Sequence, residues 1–180
     1  MRIVAGRFGG RRIATVQGDA TRPTTDRVRE ALFSILGPLD GARVLDLFAG
    51  SGALAIEALS RGAAHATLVE KDGWAAQVIA RNLDTLGIGA EEAELLRMPA
   101  ERALRTARER GDAYDLVFLD PPYRHAPALG ERLAADLAAI LAPAARVVTE
   151  SDRRAPLELP LLPTPDERRY GDTLIRIHAT

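Results

Sequence analysis

The chain contains no cysteine. Disulfides and cysteine-ligated metal sites are therefore excluded. Its three histidines, His65, His125 and His178, are scattered along the sequence. That distribution argues against a transition-metal site, and no metal is expected. No run of about 18 uncharged apolar residues is present, so no membrane span is expected. The opening MRIVAGRFGG lacks the apolar stretch of a secretory signal. The expectation is a soluble cytoplasmic protein. Lysine is nearly absent as well, with Lys71 as its single instance.

What is present is a hydrophobic content of 47% over 180 residues, enough to build the core of one ordinary domain. A monomer is expected. The net charge of −1 does not by itself suggest a polyanionic partner, but its distribution does. Residues 1–29 hold seven arginines against Asp19 and Asp26, a net of +5, which leaves −6 for the remainder. A general preference for arginine over lysine explains the residue type but not the clustering. The sequence divides into a basic extension, residues 1–40, and a mildly acidic body, residues 41–180. That asymmetry fits RNA or DNA as partner. Arg7, Arg11, Arg12, Arg22 and Arg27 are the candidate RNA contacts.

Residues 2–5 and 11–16 flank Phe8-Gly9-Gly10 and read as two short strands around a glycine turn. Thr24 or Thr25 then caps a helix, with Asp26 in its first turn. Val28, Leu32, Phe33 and Leu36 follow at helical spacing, and Gly37-Pro38 stops the helix. From Gly41 onward, apolar runs alternate with amphipathic segments. Strands are expected at 43–48, 66–70, 94–97, 114–120 and 146–150. Helices are expected at 54–60, 74–86, up to Arg110, and 129–141. Residues 167–170 and 173–178 read as a hairpin around Gly171-Asp172, which adds an antiparallel edge strand. The alternation predicts an α/β fold with a mostly parallel seven-stranded sheet covered on both faces. Ligands in such sheets bind beyond the carboxyl ends of the strands.

The first body strand runs directly into Asp46-Leu47-Phe48-Ala49-Gly50-Ser51-Gly52. The spacing approaches G-x-G-x-x-G, with Ala55 in the third place, and suits a nucleotide-like cofactor. Glu70 ends the second strand, where a carboxylate can accept both ribose hydroxyls. Asp46 precedes the turn. A carboxylate there repels a pyrophosphate but suits a cationic amino-acid end. S-adenosylmethionine carries an ammonium and a sulfonium and no phosphate, so the pattern favours it over a nicotinamide cofactor. Ser51 and Lys71 flank these residues and complete the expected set. After the third strand, Met98 is the candidate to pack on the adenine.

Asp120-Pro121-Pro122-Tyr123 closes the fourth strand. A base amino group is a poor nucleophile because its lone pair is delocalised into the ring. Two acceptors aimed at its hydrogens draw the nitrogen toward tetrahedral geometry. The Asp120 carboxylate can take one hydrogen and the Pro121 carbonyl the other, in a turn stiffened by Pro122. Tyr123 offers a face on which the flipped base can stack.

The combination of VLDLFAGSGAL, LVEKD and FLDPPY resembles Rossmann-like class I amino-methyltransferases. The RPTTDRVREALF stretch, the opening RIVAGRFGGRRI and the closing RYGDT resemble the bacterial family that methylates N2 of guanine 966 in 16S ribosomal RNA. The resemblance covers essentially the whole chain. It implies a guanine N2 as acceptor, in a partly assembled small ribosomal subunit. It also implies that the Arg22–Arg29 stretch, Thr24 included, closes over the methionine end of the cofactor and the RNA backbone. A protein glutamine methyltransferase would carry Asn in place of Asp120. A DNA amino-methyltransferase would need a recognition domain for which 180 residues leave no room. A non-catalytic RNA-binding module would not need Asp120 and both glycines.

Overall fold

The computed structural model describes residues 1–16, 26–121 and 126–180. Thr24, Arg22, Pro122, Tyr123 and His125 lie outside the described residues. The elements, in chain order, are α1 (Asp26–Leu36), β1 (Arg43–Asp46), α2 (Ala53–Ser60), β2 (His65–Val69), α3 (Gly73–Leu86) and β3 (Ala93–Leu96). They continue with α4 (Ala100–Arg110), β4 (Tyr114–Leu119), α5 (Ala126–Ala138), β5 (Leu141–Asp152), β6 (Asp166–Tyr170) and β7 (Thr173–Ala179).

The seven strands form one sheet in the order β3-β2-β1-β4-β5-β7-β6. Strands β1 to β5 run parallel, and β7 is antiparallel to both β5 and β6. The C-terminal hairpin therefore adds two strands. β7 sits inside the sheet and β6 forms its edge. The strand order reverses between β1 and β4, and a crevice opens at such a switch point beyond the strand ends.

Alternate residues of each central strand feed different cores. Val44, Leu116, Phe118 and Val148 face a cluster with α1, α2 and α3. Leu45, Val117, Leu119 and Val147 face a second cluster with α4 and α5. Because both faces are covered, these strands read as continuous apolar runs. Phe33 on α1 meets Phe118 on β4 at 5.9 Å between ring centroids, tilted by 51°. Such a pair contributes about 0.5–1.5 kcal/mol beyond its area burial.

The N-terminal residues belong to the first of these cores through Ile3, Phe8 and Ile13. The expected pair of strands there is reduced to a single antiparallel bridge, Arg2 to Arg12, closed by a 3-10 turn over Gly6–Phe8. The reason lies in where the amides go. Those of Val4 and Ala5 donate to the buried Glu57 carboxylate of α2, at 2.7 and 3.0 Å, and are lost to any strand ladder. Arg61 closes the same carboxylate at 2.7 Å. Ser60 accepts from the Phe8 amide at 2.9 Å and donates to the Ala5 carbonyl. Gly6 lies against this helix end with φ +78°, and a Cβ there would stand 1.8 Å from the Ser60 carbonyl oxygen. Gly6→Ala should therefore undock the segment, with about 1–2 kcal/mol lost to the left-handed backbone alone. Hydrogen exchange at Val4 and Ala5 reads the outcome, and unchanged protection would refute it.

Three boundaries differ from the expected ones by three residues or more. α5 begins and ends three residues earlier, and β5 begins five residues earlier, at Leu141. Tyr114 pairs with Leu141, and the register then shifts before Leu116 pairs with Arg146. Ala144, with φ +59°, sits within the irregular stretch.

Candidate active site

The carboxyl ends of β1, β2 and β4 surround a cleft lined by Leu47, Phe48, Gly50, Val69, Glu70, Lys71, Met98, Ala100 and Asp120. Five of the expected site residues thus converge: Gly50, Glu70, Lys71, Met98 and Asp120. Ser51 and Gly52 form the turn behind them. Gly52 has φ +80° and begins α2, and a Cβ there would stand 3.0 Å from the Leu68 side chain. Both backbone shape and close packing select glycine at that place.

Glu70 organises the mouth of the cleft. One of its oxygens accepts from the Gly50 amide at 3.0 Å, and the other accepts from the Asp72 amide at 2.8 Å. A carboxylate oxygen has a further lone pair to offer, so Glu70 can hold the turn and still receive a pair of hydroxyls. Asp72 caps α3 through the Ala75 amide at 2.8 Å, which fixes the chain leaving Glu70.

Asp46 is buried, at 1% exposure, and its Oδ1 has no hydrogen-bond partner among the described residues. Burial pushes its carboxyl up to about 7, against the pull of backbone hydrogen bonds with Ala55 and Phe48 and with an added push from the charge of Glu70. A buried acceptor without a partner is costly, and a cation placed beside it removes that cost. Asp46 is not itself among the residues that line the cleft, and a positively charged ligand end that reached it would remove that cost. Asp120 is held well above the ordinary carboxylate range, by burial first and then by the charges of Glu150 and Asp46. Pro121, next to it, is buried.

The arginines of the extension divide into two groups. Arg7 pairs with Glu92 and lies 4.4 Å from the Phe8 ring centre. Arg11 donates to the Thr85 carbonyl at 2.6 Å and also faces Phe8. Arg12 and Arg27 are exposed. Arg29, not among the expected site residues, is buried and donates to Asp26 at 2.9 Å and to the Arg2 carbonyl. It ties α1 to the N-terminal segment.

Sequence reasoning missed Asn82. Its side chain accepts from the Ala14 amide at 2.8 Å, donates to the Ala14 carbonyl at 3.0 Å, and donates to the Ser51 carbonyl at 2.9 Å. One side chain thereby joins the extension to the glycine turn. Its signal was an asparagine at a core-facing position of α3, a residue that disfavours helix interiors.

The family described as conserved hypothetical protein 95 matches residues 1–179. The chain belongs to this family. YlbH of Bacillus subtilis (strain 168), provisionally named an rRNA methyltransferase, is 44% identical over 161 residues, covering 89% of this chain and 86% of that one. Ribosomal RNA small subunit methyltransferase D of Escherichia coli (strain K12) is 44% identical over 125 residues, or 69% of this chain. The match spans 61% of that relative's length. The solved structure of yhhF from Escherichia coli, provisionally described as a methyltransferase, is 37% identical and superposes with a TM-score of 0.83 over 99% of this chain and 97% of that one. The family resemblance and the Rossmann-like methyltransferase fold expected from the motifs both stand.

Proposed function

We propose that this chain transfers a methyl group from S-adenosylmethionine to the exocyclic N2 of a guanine in 16S ribosomal RNA, at the position resembling 966. The carrying observation is that Asp120, at the end of β4, opens into the same cleft as Gly50, Glu70 and Met98. A methyl-accepting nitrogen and a cofactor held there would lie side by side. The names of the relatives, which act on ribosomal RNA of the small subunit, support the substrate class.

S-adenosylmethionine supplies an electrophilic methyl group on a sulfonium. When it is bound, Asp46 would receive the ammonium of its amino-acid end and Glu70 the ribose hydroxyls. Lys71 and Met98 would flank the adenine, and Thr24 would close over the methionine end. Asp120 and the Pro121 carbonyl accept the two amino hydrogens of the guanine, which frees the nitrogen lone pair for in-line attack. Pro122 would stiffen the turn and Tyr123 would stack on the base. The amino group sheds its proton to solvent after transfer, so a tuned general base is unnecessary. The protein works in the cytoplasm, as a monomer, on a partly assembled small subunit.

The test is tritiated methyl transfer to small subunits from cells that lack this enzyme, followed by mapping of the labelled nucleotide. Label on a guanine N2 of 16S RNA is expected. Label in DNA or in protein would overturn the reading.

The basic extension supplies a second expectation. Arg12 and Arg27 are exposed and free to meet phosphates, whereas Arg7 and Arg11 are also engaged internally. Replacing Arg12 and Arg27 by Ala should weaken RNA binding and lower the slope of log affinity against log salt by up to about two. An unchanged slope would show that neither contacts the backbone of the RNA.

A further inference from the structure

We propose that Trp74 is a stacking platform for an unpaired base of the RNA, set at the rim of the cofactor cleft and outside it. The inference rests on the reading of the chain as an RNA methyltransferase. Trp74 is the one tryptophan of the chain, and it stands 63% exposed in the first turn of α3. Glu70 and Lys71, just before it, line the cleft, whereas Trp74 is not a lining residue. Cations flank the indole. Lys71 lies three positions before it. Arg97, in the loop after β3, reaches back to the start of α3, where a Cβ on Gly73 would stand 2.5 Å from its guanidinium. Lys71 and Arg97 are exposed, and neither makes an ion pair among the described residues.

A lone exposed apolar side chain is ordinary on a protein surface. An indole between two cations without acidic partners is a different arrangement. It is the combination that takes single-stranded nucleic acid, in which a ring receives a base and the cations meet the phosphates. The unpaired charge also favours a polyanion over an apolar protein partner. The same surface continues along α3. Arg81 follows Trp74 by seven positions and Thr85 follows Arg81 by four, so all three share the outward face of the helix. Arg81 is exposed and likewise makes no ion pair among the described residues. The Thr85 carbonyl is where Arg11 of the basic extension donates. One end of the helix thus meets the extension, and the other presents Trp74 beside the cleft. Of the acids on this segment, Asp72 is engaged with the Ala75 amide, and Asp84 lies toward the far end. A strand following this face meets cations along its course, and Trp74 receives a base close to the cleft.

Because the chain has a single tryptophan, its fluorescence reports on this position alone. The experiment titrates the full chain, saturated with S-adenosylhomocysteine, with a single-stranded RNA of about 12 nucleotides, within the site sizes of single-strand grooves. Saturable quenching is expected. Trp74→Ala should lower affinity for the same RNA, read from the anisotropy of a label on it, by about fivefold to a hundredfold, and Trp74→Phe should retain most of that affinity. Arg97→Ala should weaken binding and lower the slope of log affinity against log salt by about 0.7. Affinity of Trp74→Ala for S-adenosylhomocysteine should be unchanged, which also checks that the variant is folded. RNA bound without quenching, or bound by Trp74→Ala as by the wild type, would overturn the platform. A loss of cofactor affinity in Trp74→Ala would assign the indole to the cofactor, and a defect confined to assembled subunits would assign it to a protein contact. Either result would overturn the proposal. Methyl transfer by the wild type to small subunits tests the underlying reading separately. Its absence would overturn that reading, whereas transfer without any binding of the single strand would overturn the platform alone.

Discussion

Asp46→Asn should make the cofactor-free protein more stable above pH 7 and at the same time weaken S-adenosylmethionine binding by about tenfold to a hundredfold, as expected for loss of a charged hydrogen bond. The Asp46 carboxyl titrates near 7 in the folded chain because it is buried without a full set of partners. A carboxylate raised above its unfolded value stabilises the fold only while protonated. Its contribution is complete below the ordinary carboxylate range and is lost as pH climbs through about 7. The ionised form therefore costs roughly 4 kcal/mol, at ~1.4 kcal/mol per tenfold change in proton affinity. An amide of the same shape avoids the ionisation. A gain of several degrees in Tm at pH 8, vanishing near pH 4, is the expected calorimetric result. The wild-type protein should in turn bind the cofactor more tightly as pH rises toward about 7 and reach a plateau above it, because a proton must leave Asp46 before the ammonium can pair with it. Titration calorimetry across pH 5.5–8.5, roughly the span centred on that value, follows both effects. A destabilised Asp46→Asn protein that binds cofactor normally would remove Asp46 from the site.

Asp120→Ala should lower kcat by about a thousandfold and leave cofactor affinity within a few fold of wild type. The acceptor it removes acts on the base amino group as that nitrogen changes geometry, and loss of one preorganised electrostatic partner costs about 10²–10³ in rate. The separation of the two effects is the informative part. Single-turnover transfer measures the first, and equilibrium binding of S-adenosylhomocysteine measures the second. Normal turnover would end the proposed role of Asp120. A parallel collapse of cofactor affinity would instead mean that this carboxylate holds the cofactor.

Apart from the start of β5, the parallel strands are legible to within a residue or two because both sheet faces are covered, so each strand stands out as a short apolar run. The stretch Leu141 to Ala145 was not legible. Its Ala-Pro-Ala-Ala composition offers no contrast between a period of two and a period near four, and it reads as a helix end and a loop instead of β5. The N-terminal strands failed for another reason. Their alternation was correct, since Ile3 and Ile13 are buried, but a side chain 52–53 residues away captured the amides needed for a ladder. That side chain, Glu57, was visible as a charged residue in an otherwise apolar helix, LAIEALS. The cofactor turn and Asp120 could be read from local spacing. Asn82 could not, because its importance depends on which helices and loops become neighbours.

The three hydrogen bonds of Asn82 have a consequence for how this molecule can be dissected. Ala14 and Ser51 are clamped to the same amide group. Trimming the chain from its N-terminus past residue 14 would release the glycine turn from one side as well as remove arginines. A shortened enzyme that had lost activity would therefore be ambiguous between a lost grip on RNA and a slackened cradle for the cofactor. Point changes at the exposed arginines separate these outcomes, and deletion does not.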